Sequence, residues 1–212
     1  KGISCDITYK ESLEMAVNSL QNEFGKIYVF VNNAGITHIK KFEDIEDPDS
    51  VVRRVMEVNL FAPVNLTKLC FEDLISQKGL IINISSVAGF APLLGRTAYS
   101  ASKHALQGYF ESLRTELYDK GVHCLTACPA FIGADAKQHS AASDDENSVN
   151  QKKKMIGNAI DPAHVANEIF KAAKCNRNIV IIGKTAKQSY LMFRLFPALY
   201  ERMMSKKLSG EL

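Results

Sequence analysis

The sequence predicts an α/β fold, a doubly wound parallel sheet with helices on both faces, in one domain over residues 1–186 followed by a basic amphipathic tail over 187–212. Three observations predict it. The run at 27–31 is a continuous β-branched and aromatic stretch, as expected of a parallel strand covered on both faces, and the apolar runs at 80–84, 122–127 and 179–182 read as further strands. Longer segments between these runs carry apolar residues at helical spacing. A chain of 212 residues, 46% hydrophobic and 23% charged, is large enough for one full core.

Residues 1–6 read as the tail of a strand. Thr8 and Glu11 have the spacing of a capping box for a helix whose apolar positions Leu13, Ala16, Val17, Leu20 and Phe24 share a face, and Gly25 is placed to stop it. After strand 27–31, Asn32-Asn33-Ala34-Gly35 turns the chain, its small residues letting the backbone approach a ligand. Asp47-Pro48 opens a helix that reaches about residue 76 and is bent at Pro63. Asn59 lies in its middle, and a buried Asn there must find hydrogen-bond partners.

Strand 80–84 ends in Ser85-Ser86, and after a loop containing Gly and Pro a helix runs over 97–119. Leu106, Tyr109, Phe110, Leu113 and Leu117 continue one face of it, suited to core packing or to pairing of subunits. Strand 122–127 follows and ends in Cys128-Pro129-Ala130. The polar stretch 138–154 lacks apolar periodicity and reads as a mobile loop, with His139 and Asp144-Asp145-Glu146 as solvated groups and not metal ligands. Asp161-Pro162 caps a helix to about residue 173 whose Val165, Ile169 and Ala172 or Ala173 face inward. Gly183-Lys184-Thr185 is not a phosphate loop, because the first glycine that motif needs would fall at Asn178.

In the tail, Leu191, Met192, Phe193, Leu195, Phe196, Leu199, Tyr200, Met203 and Met204 alternate with Arg194, Arg202, Lys206 and Lys207, with Pro197 breaking the middle. Packing on the body or on a second subunit is the simpler expectation; peripheral contact with a membrane, or gating of a greasy substrate entrance, is the other.

The net charge of +3 is mild and forms no basic stripe, which excludes nucleic acid as the expected partner. Five cysteines with no C-x-x-C pair and no histidines at zinc spacing point to core thiols, a reducing compartment and no metal site. No apolar run approaches the roughly 20 residues that span a bilayer, and the start resembles no signal or transit peptide, so a cytoplasmic location is expected, with membrane association left to the tail.

The chemistry concentrates at residues 81–103. Tyr99 and Lys103, four apart on a helix, share a face, so the ammonium is expected to lower the phenol from its usual value near 10 and make it an acid/base. Ser86 stands at the carboxyl end of a strand, where open α/β sheets bind ligands, and its hydroxyl is placed to hold a carbonyl while the tyrosine protonates it. His104 points about 100° away from Lys103 around the helix and is a bystander.

Asn32-Asn33-Ala34-Gly35, the helical Asn59, the strand-end Ser86 and Tyr99-x-x-x-Lys103, in this order and spacing, resemble the short-chain dehydrogenase/reductase family over nearly the whole chain. The resemblance implies a Rossmann-like sheet and a hydride transfer between NAD(P)(H), NADP more than NAD, and a carbonyl or secondary alcohol, in a homodimer when full length. It implies catalytic roles for Asn59, Ser86, Tyr99 and Lys103, with Asn59 keeping a water that links Lys103 to solvent. Cofactor contacts follow for Asp6 at the adenine with Ile7 beside it, for Asn33, Ala34 and Gly35, for Tyr99 and Lys103, and for Pro129 and Ile132. A substrate loop is implied over about 134–160, and the greasy tail leans toward a lipid-like or steroid-like ketone.

The sequence departs from the family in three places. Ala130 stands where Gly is usual and Ala134 where Thr is usual, which weakens the nicotinamide pocket. The Thr-Gly-x-x-x-Gly-x-Gly loop is absent from the 212 residues, so the chain reads as N-terminally truncated, lacking its first βα units and the residues that choose between NAD and NADP. Strand 27–31 is then expected to be an exposed edge. The rival expectation is a non-catalytic fragment or isoform that acts at most as a dimerisation partner.

Overall fold

The structure is a computed structural model that describes residues 1–133 and 159–208. Ala134, the 138–154 stretch with His139 and Asp144-Asp145-Glu146, and most of the expected substrate loop lie outside the described residues.

Among the described residues four parallel strands stand side by side in chain order: β1 (Val29–Asn32), β2 (Leu80–Ile84), β3 (His123–Pro129) and β4 (Ile179–Ile182). The helices are α1 (Lys10–Phe24), α2 (Pro48–Met56), α3 (Ala62–Leu69), α4 (Phe71–Gln77), α5 (Thr97–Glu116), α6 (Pro162–Lys174), α7 (Lys184–Leu195) and α8 (Pro197–Leu208). The alternation of strand and helix gives a parallel sheet covered on both faces, the expected Rossmann-like architecture.

Side chains alternate along each strand, so the sheet has two cores. On one face Ile81 and Cys124 pack against Leu106 and Phe110 of α5, Val17 of α1 and Leu74 of α4. On the other, Ile82, Leu125, Ala127, Val180 and Ile182 pack against Val165 and Ala172 of α6. A third cluster joins Val87 and Ala91, in the loop before α5, to Ala186, Tyr200 and Met204 of α7 and α8. Position 187, where the tail was expected to begin, lies inside α7, so the body and the tail share a helix and a core.

Several local expectations are corrected. Thr8 does not cap α1: its N–H and its hydroxyl both donate to the Asp6 carboxylate, at 2.9 and 2.7 Å, and the helix starts after Tyr9 with no side-chain cap. Strand β1 is not covered on both faces, since Val29 and Val31 are 44% and 48% exposed at the open edge of the sheet. The long helix bent at Pro63 is α2, one π-helical turn (Glu57–Phe61), α3 and α4. Proline has no N–H to donate four residues back to the Asn59 carbonyl, and the wider turn, in which the Ala62 N–H reaches Glu57 O, is the adjustment.

Other local features follow the sequence. Asp161 caps α6 by accepting from the N–H groups of Ala163 and His164. Gly25 ends α1 with φ of 80°. The thiols of Cys70, Cys124 and Cys128 are buried, and burial pushes them up to about 11, 11 and 12, which keeps them protonated core groups.

Candidate active site

The carboxyl ends of β1 and β2 and one face of α5 meet at a single buried polar cluster. Lys103 is 4% exposed, and its Nζ donates to the carbonyl oxygen of Ile84, the last residue of β2, at 2.9 Å. Its Nζ also stands 5.8 Å from the centre of the Tyr99 ring. Ser86 follows β2 directly; its hydroxyl accepts from the Ala88 N–H at 3.2 Å and lies close enough to the Tyr99 phenol to act on its titration. The three residues picked from spacing therefore come together at the strand end.

The electrostatics differ from expectation. Burial raises the Tyr99 phenol above its usual value, and the Ser86 hydroxyl and the charge of Arg96 only partly offset that. Lys103 is not among the groups that lower it. Burial acts on Lys103 as well and lowers its ammonium to about 8, so the lysine gives up its charge more readily instead of imposing it on the phenol. Spacing placed the two groups on one face; it carried no information on how strongly each would be desolvated.

Asn59 sits in the π-helical turn and is 1% exposed. Its Oδ1 accepts from the Ile36 N–H at 2.9 Å, and its Nδ2 donates to the Ile36 carbonyl at 2.9 Å and to the Ser102 hydroxyl at 2.9 Å. The amide therefore clamps the chain just past Asn33-Ala34-Gly35 onto α5. A Cβ on Gly35 would stand 3.2 Å from Asn59 Oδ1 and 3.4 Å from Lys103 Nζ, so the absence of a side chain is what lets this turn close on the lysine. Asn32 is the buried member of the turn and donates to the Asn83 side chain across the sheet at 2.7 Å, tying β1 to β2.

Of the expected cofactor contacts, Ile7, Asn33 and Ala34 line one shallow cleft with Val58 and Leu66. Asp6 is exposed and lies outside that lining; its carboxylate is held below the usual range, first by the Thr8 N–H and then by the Thr8 hydroxyl. Pro129 is buried at the end of β3, and Ile132 forms a single parallel bridge with Ile160 while packing toward the α6 core. Ala130, where the family has Gly, fits because its neighbour lacks a side chain: a Cβ on Gly183 would meet the Ala130 Cβ at 3.2 Å. His104 is exposed and bonds only within its helix, to Ser100 O at 2.9 Å.

Two participants were missed from the sequence. Ser102 links the Asn59 amide to the Tyr99 carbonyl, to which its hydroxyl donates at 2.8 Å. Gln107 is buried, and its Nε2 donates to the Ser85 hydroxyl at 2.8 Å. The available signal was a polar residue one turn past Lys103 on a face otherwise reserved for Leu106 and Phe110. Among the described residues no cluster of metal-ligating side chains occurs.

Fold and cluster together define a Rossmann-like domain with a buried polar site at the carboxyl ends of its strands. The sequence profile of the short chain dehydrogenase family matches residues 1–145, and the chain belongs to that family. It is 31% identical over 209 residues to Dehydrogenase/reductase SDR family member 7B of Danio rerio, covering 96% of this chain and 67% of that protein. It is 33% identical over 205 residues to Dehydrogenase/reductase SDR family protein 7-like of Dictyostelium discoideum, covering 96% and 63%. The chain thus spans about two thirds of the length of these curated relatives. A short-chain dehydrogenase from Burkholderia cenocepacia, solved in complex with NADP, superposes with a TM-score of 0.77 at 22% identity, over 95% of this chain and 77% of that one. A short-chain dehydrogenase from Streptomyces avermitilis gives a TM-score of 0.75 at 26% identity, over 98% and 79%.

Proposed function

We propose that this chain carries the catalytic centre of an NAD(P)(H)-dependent oxidoreductase that interconverts a carbonyl and a secondary alcohol. The observation that supports it above others is the Tyr99 phenol beside the Ser86 hydroxyl at the end of β2, with the buried Lys103 amine one turn along the same helix. The cofactor supplies or accepts the hydride. Ser86 orients the carbonyl with its hydroxyl, and Tyr99 gives its proton to the carbonyl oxygen in reduction or takes it from the alcohol in oxidation. A phenol raised by burial stays protonated through neutral pH, the form that donates to a carbonyl oxygen. Lys103 re-protonates the tyrosine side of the site, and Asn59 holds the Gly35 turn against it.

The residues present fit one end of such a cofactor. Gly35 gives the backbone access to Lys103 Nζ, and the Ile7–Ala34 cleft offers an apolar wall beside the turn. The NADP complex of the Burkholderia neighbour makes NADP the first cofactor to test. The test is titration of the chain with NADPH and NADH, followed by turnover of a carbonyl panel by wild type and Tyr99→Phe. Loss of turnover with cofactor affinity retained supports the proposal; turnover near wild type in Tyr99→Phe defeats it.

A homodimer is proposed through the outer faces of α2 and α5, where Val52 and Tyr109 stand 40% and 41% exposed, with Phe61 between α2 and α3 at 47%. The open edge of β1 favours a second reading, a non-catalytic dimerisation partner. Absence of binding of either cofactor, with a stable dimer, would select it.

A further inference from the structure

α7 and α8 form an antiparallel helical hairpin whose two sides differ. Its inner side is core: Ala186, Tyr200 and Met204 are 0%, 0% and 5% exposed, against Val87 and Ala91 in the loop that connects Ser86 to Tyr99. Its tip is not, since Leu191, Leu195, Phe196 and Leu199 are 60%, 58%, 60% and 55% exposed. Leu191 and Leu195 are one turn apart on α7, Phe196 makes the bend and Leu199 lies in the first turn of α8, so the four form one apolar cap. Burying such a side chain is favourable relative to leaving it in water, so four of them together at the end of one hairpin is a surface in want of a partner.

The charges around the cap select the partner. Lys187 lies one turn before Leu191, Arg194 stands between Leu191 and Leu195, and Arg202 lies one turn past Leu199; the only acid from Lys184 to Lys206 is Glu201. An apolar end within a basic collar matches a surface that is greasy beneath and anionic at its boundary. A second copy of the chain matches it poorly. In a twofold pairing of tip against tip, Arg194 and Arg202 would face their own counterparts with one acid to offset them.

We propose that the tip of the α7–α8 hairpin docks on an anionic phospholipid surface. Leu191, Leu195, Phe196 and Leu199 enter the acyl boundary while Lys187, Arg194 and Arg202 lie at the phosphates, their stems along the apolar side chains. Because the hairpin packs on the loop between Ser86 and Tyr99, docking sets the mouth of the site beside the lipid; resting on the function proposed above, this assigns the carbonyl substrate to a lipid-like class.

Flotation of the whole chain with phosphatidylcholine vesicles, with and without phosphatidylserine, tests this, because aggregates do not float. Wild type is expected to float with the phosphatidylserine vesicles, and Phe196→Glu to bind them about tenfold more weakly or worse. Arg202→Glu is expected to weaken binding to the anionic vesicles by about the same factor, with an unchanged far-ultraviolet circular dichroism spectrum. No flotation of wild type, equal binding to both vesicle types, or binding unmoved by either variant overturns the proposal. So does a wild-type dimer in light scattering that Phe196→Glu dissociates while vesicles are ignored, since that result names a second copy. None of these readouts depends on turnover, so failure here and failure of the oxidoreductase reading are separable.

Discussion

Gln107 and Ser85 are joined by a buried hydrogen bond of 2.8 Å that pins the residue before Ser86 to the helix carrying Tyr99. The space they share is the space a side chain on Gly89 would need: a Cβ there would stand 2.0 Å from Gln107 Nε2 and 2.6 Å from Ser85 Oγ. Gln107→Leu leaves the Ser85 hydroxyl buried and short of a partner, and urea denaturation is expected to register a loss of about 1–3 kcal/mol. Gly89→Ala is expected to cost more than that in wild type and much less in a Gln107→Ala background, where the amide has been removed. Additive costs in that double-mutant cycle would show that the two residues do not compete.

Lys103 gives the site a pH signature. Its ammonium is lowered to about 8 in the fold from 10.5 in the open chain, so the folded state binds fewer protons between those values. Stability therefore rises with pH across that window, as the penalty for burying the charge is relieved; it is fully present below about 8 and amounts to something on the order of 3 kcal/mol. Comparing wild type with Lys103→Met by urea denaturation between pH 7 and about 9.5 should show wild type gaining on the variant as pH rises. A constant difference across that range would mean the amine is not desolvated.

Asn59→Leu is nearly isosteric but removes the acceptor for the Ile36 N–H and the donors to Ile36 O and Ser102. The expected cost is about 2–4 kcal/mol, with earliest amide hydrogen exchange in residues 33–36. Exchange that speeds up uniformly over the chain would argue against a local clamp.

The edge strand predicts a solubility effect. Val29 and Val31 are apolar, half exposed and beside unpaired backbone groups, the arrangement that recruits a further strand. Val31→Lys is expected to suppress concentration-dependent light scattering while moving the melting temperature little. Unchanged scattering would place the aggregating surface elsewhere.

The strands were the most legible part of the sequence because continuous apolar runs bounded by turn residues have few other uses. β2 and β4 occupy the expected positions 80–84 and 179–182, and the Asp161-Pro162 start of α6 follows from cap chemistry alone. The capping box at Thr8 failed because a nearer acceptor, Asp6, engages both of its donors. The π-helical turn left no trace in the apolar periodicity. Within the site, spacing placed Ser86, Tyr99 and Lys103 together, since helix and strand geometry alone decide that. It misjudged the phenol, because a proton affinity depends on burial, and burial is set by packing between residues far apart in sequence.

The order of the sheet, β1-β2-β3-β4, bears on how the protein is made. Among the described strands each pairs with the one synthesised just before it, so each new edge is presented to the next of them as the chain leaves the ribosome. This part of the sheet can assemble from β1 toward β4, with the α7–α8 hairpin packing after β4 over the loop that separates Ser86 from Tyr99. A pause in translation after β3 would hold the nascent chain with its central strands paired and the wall of the site still open.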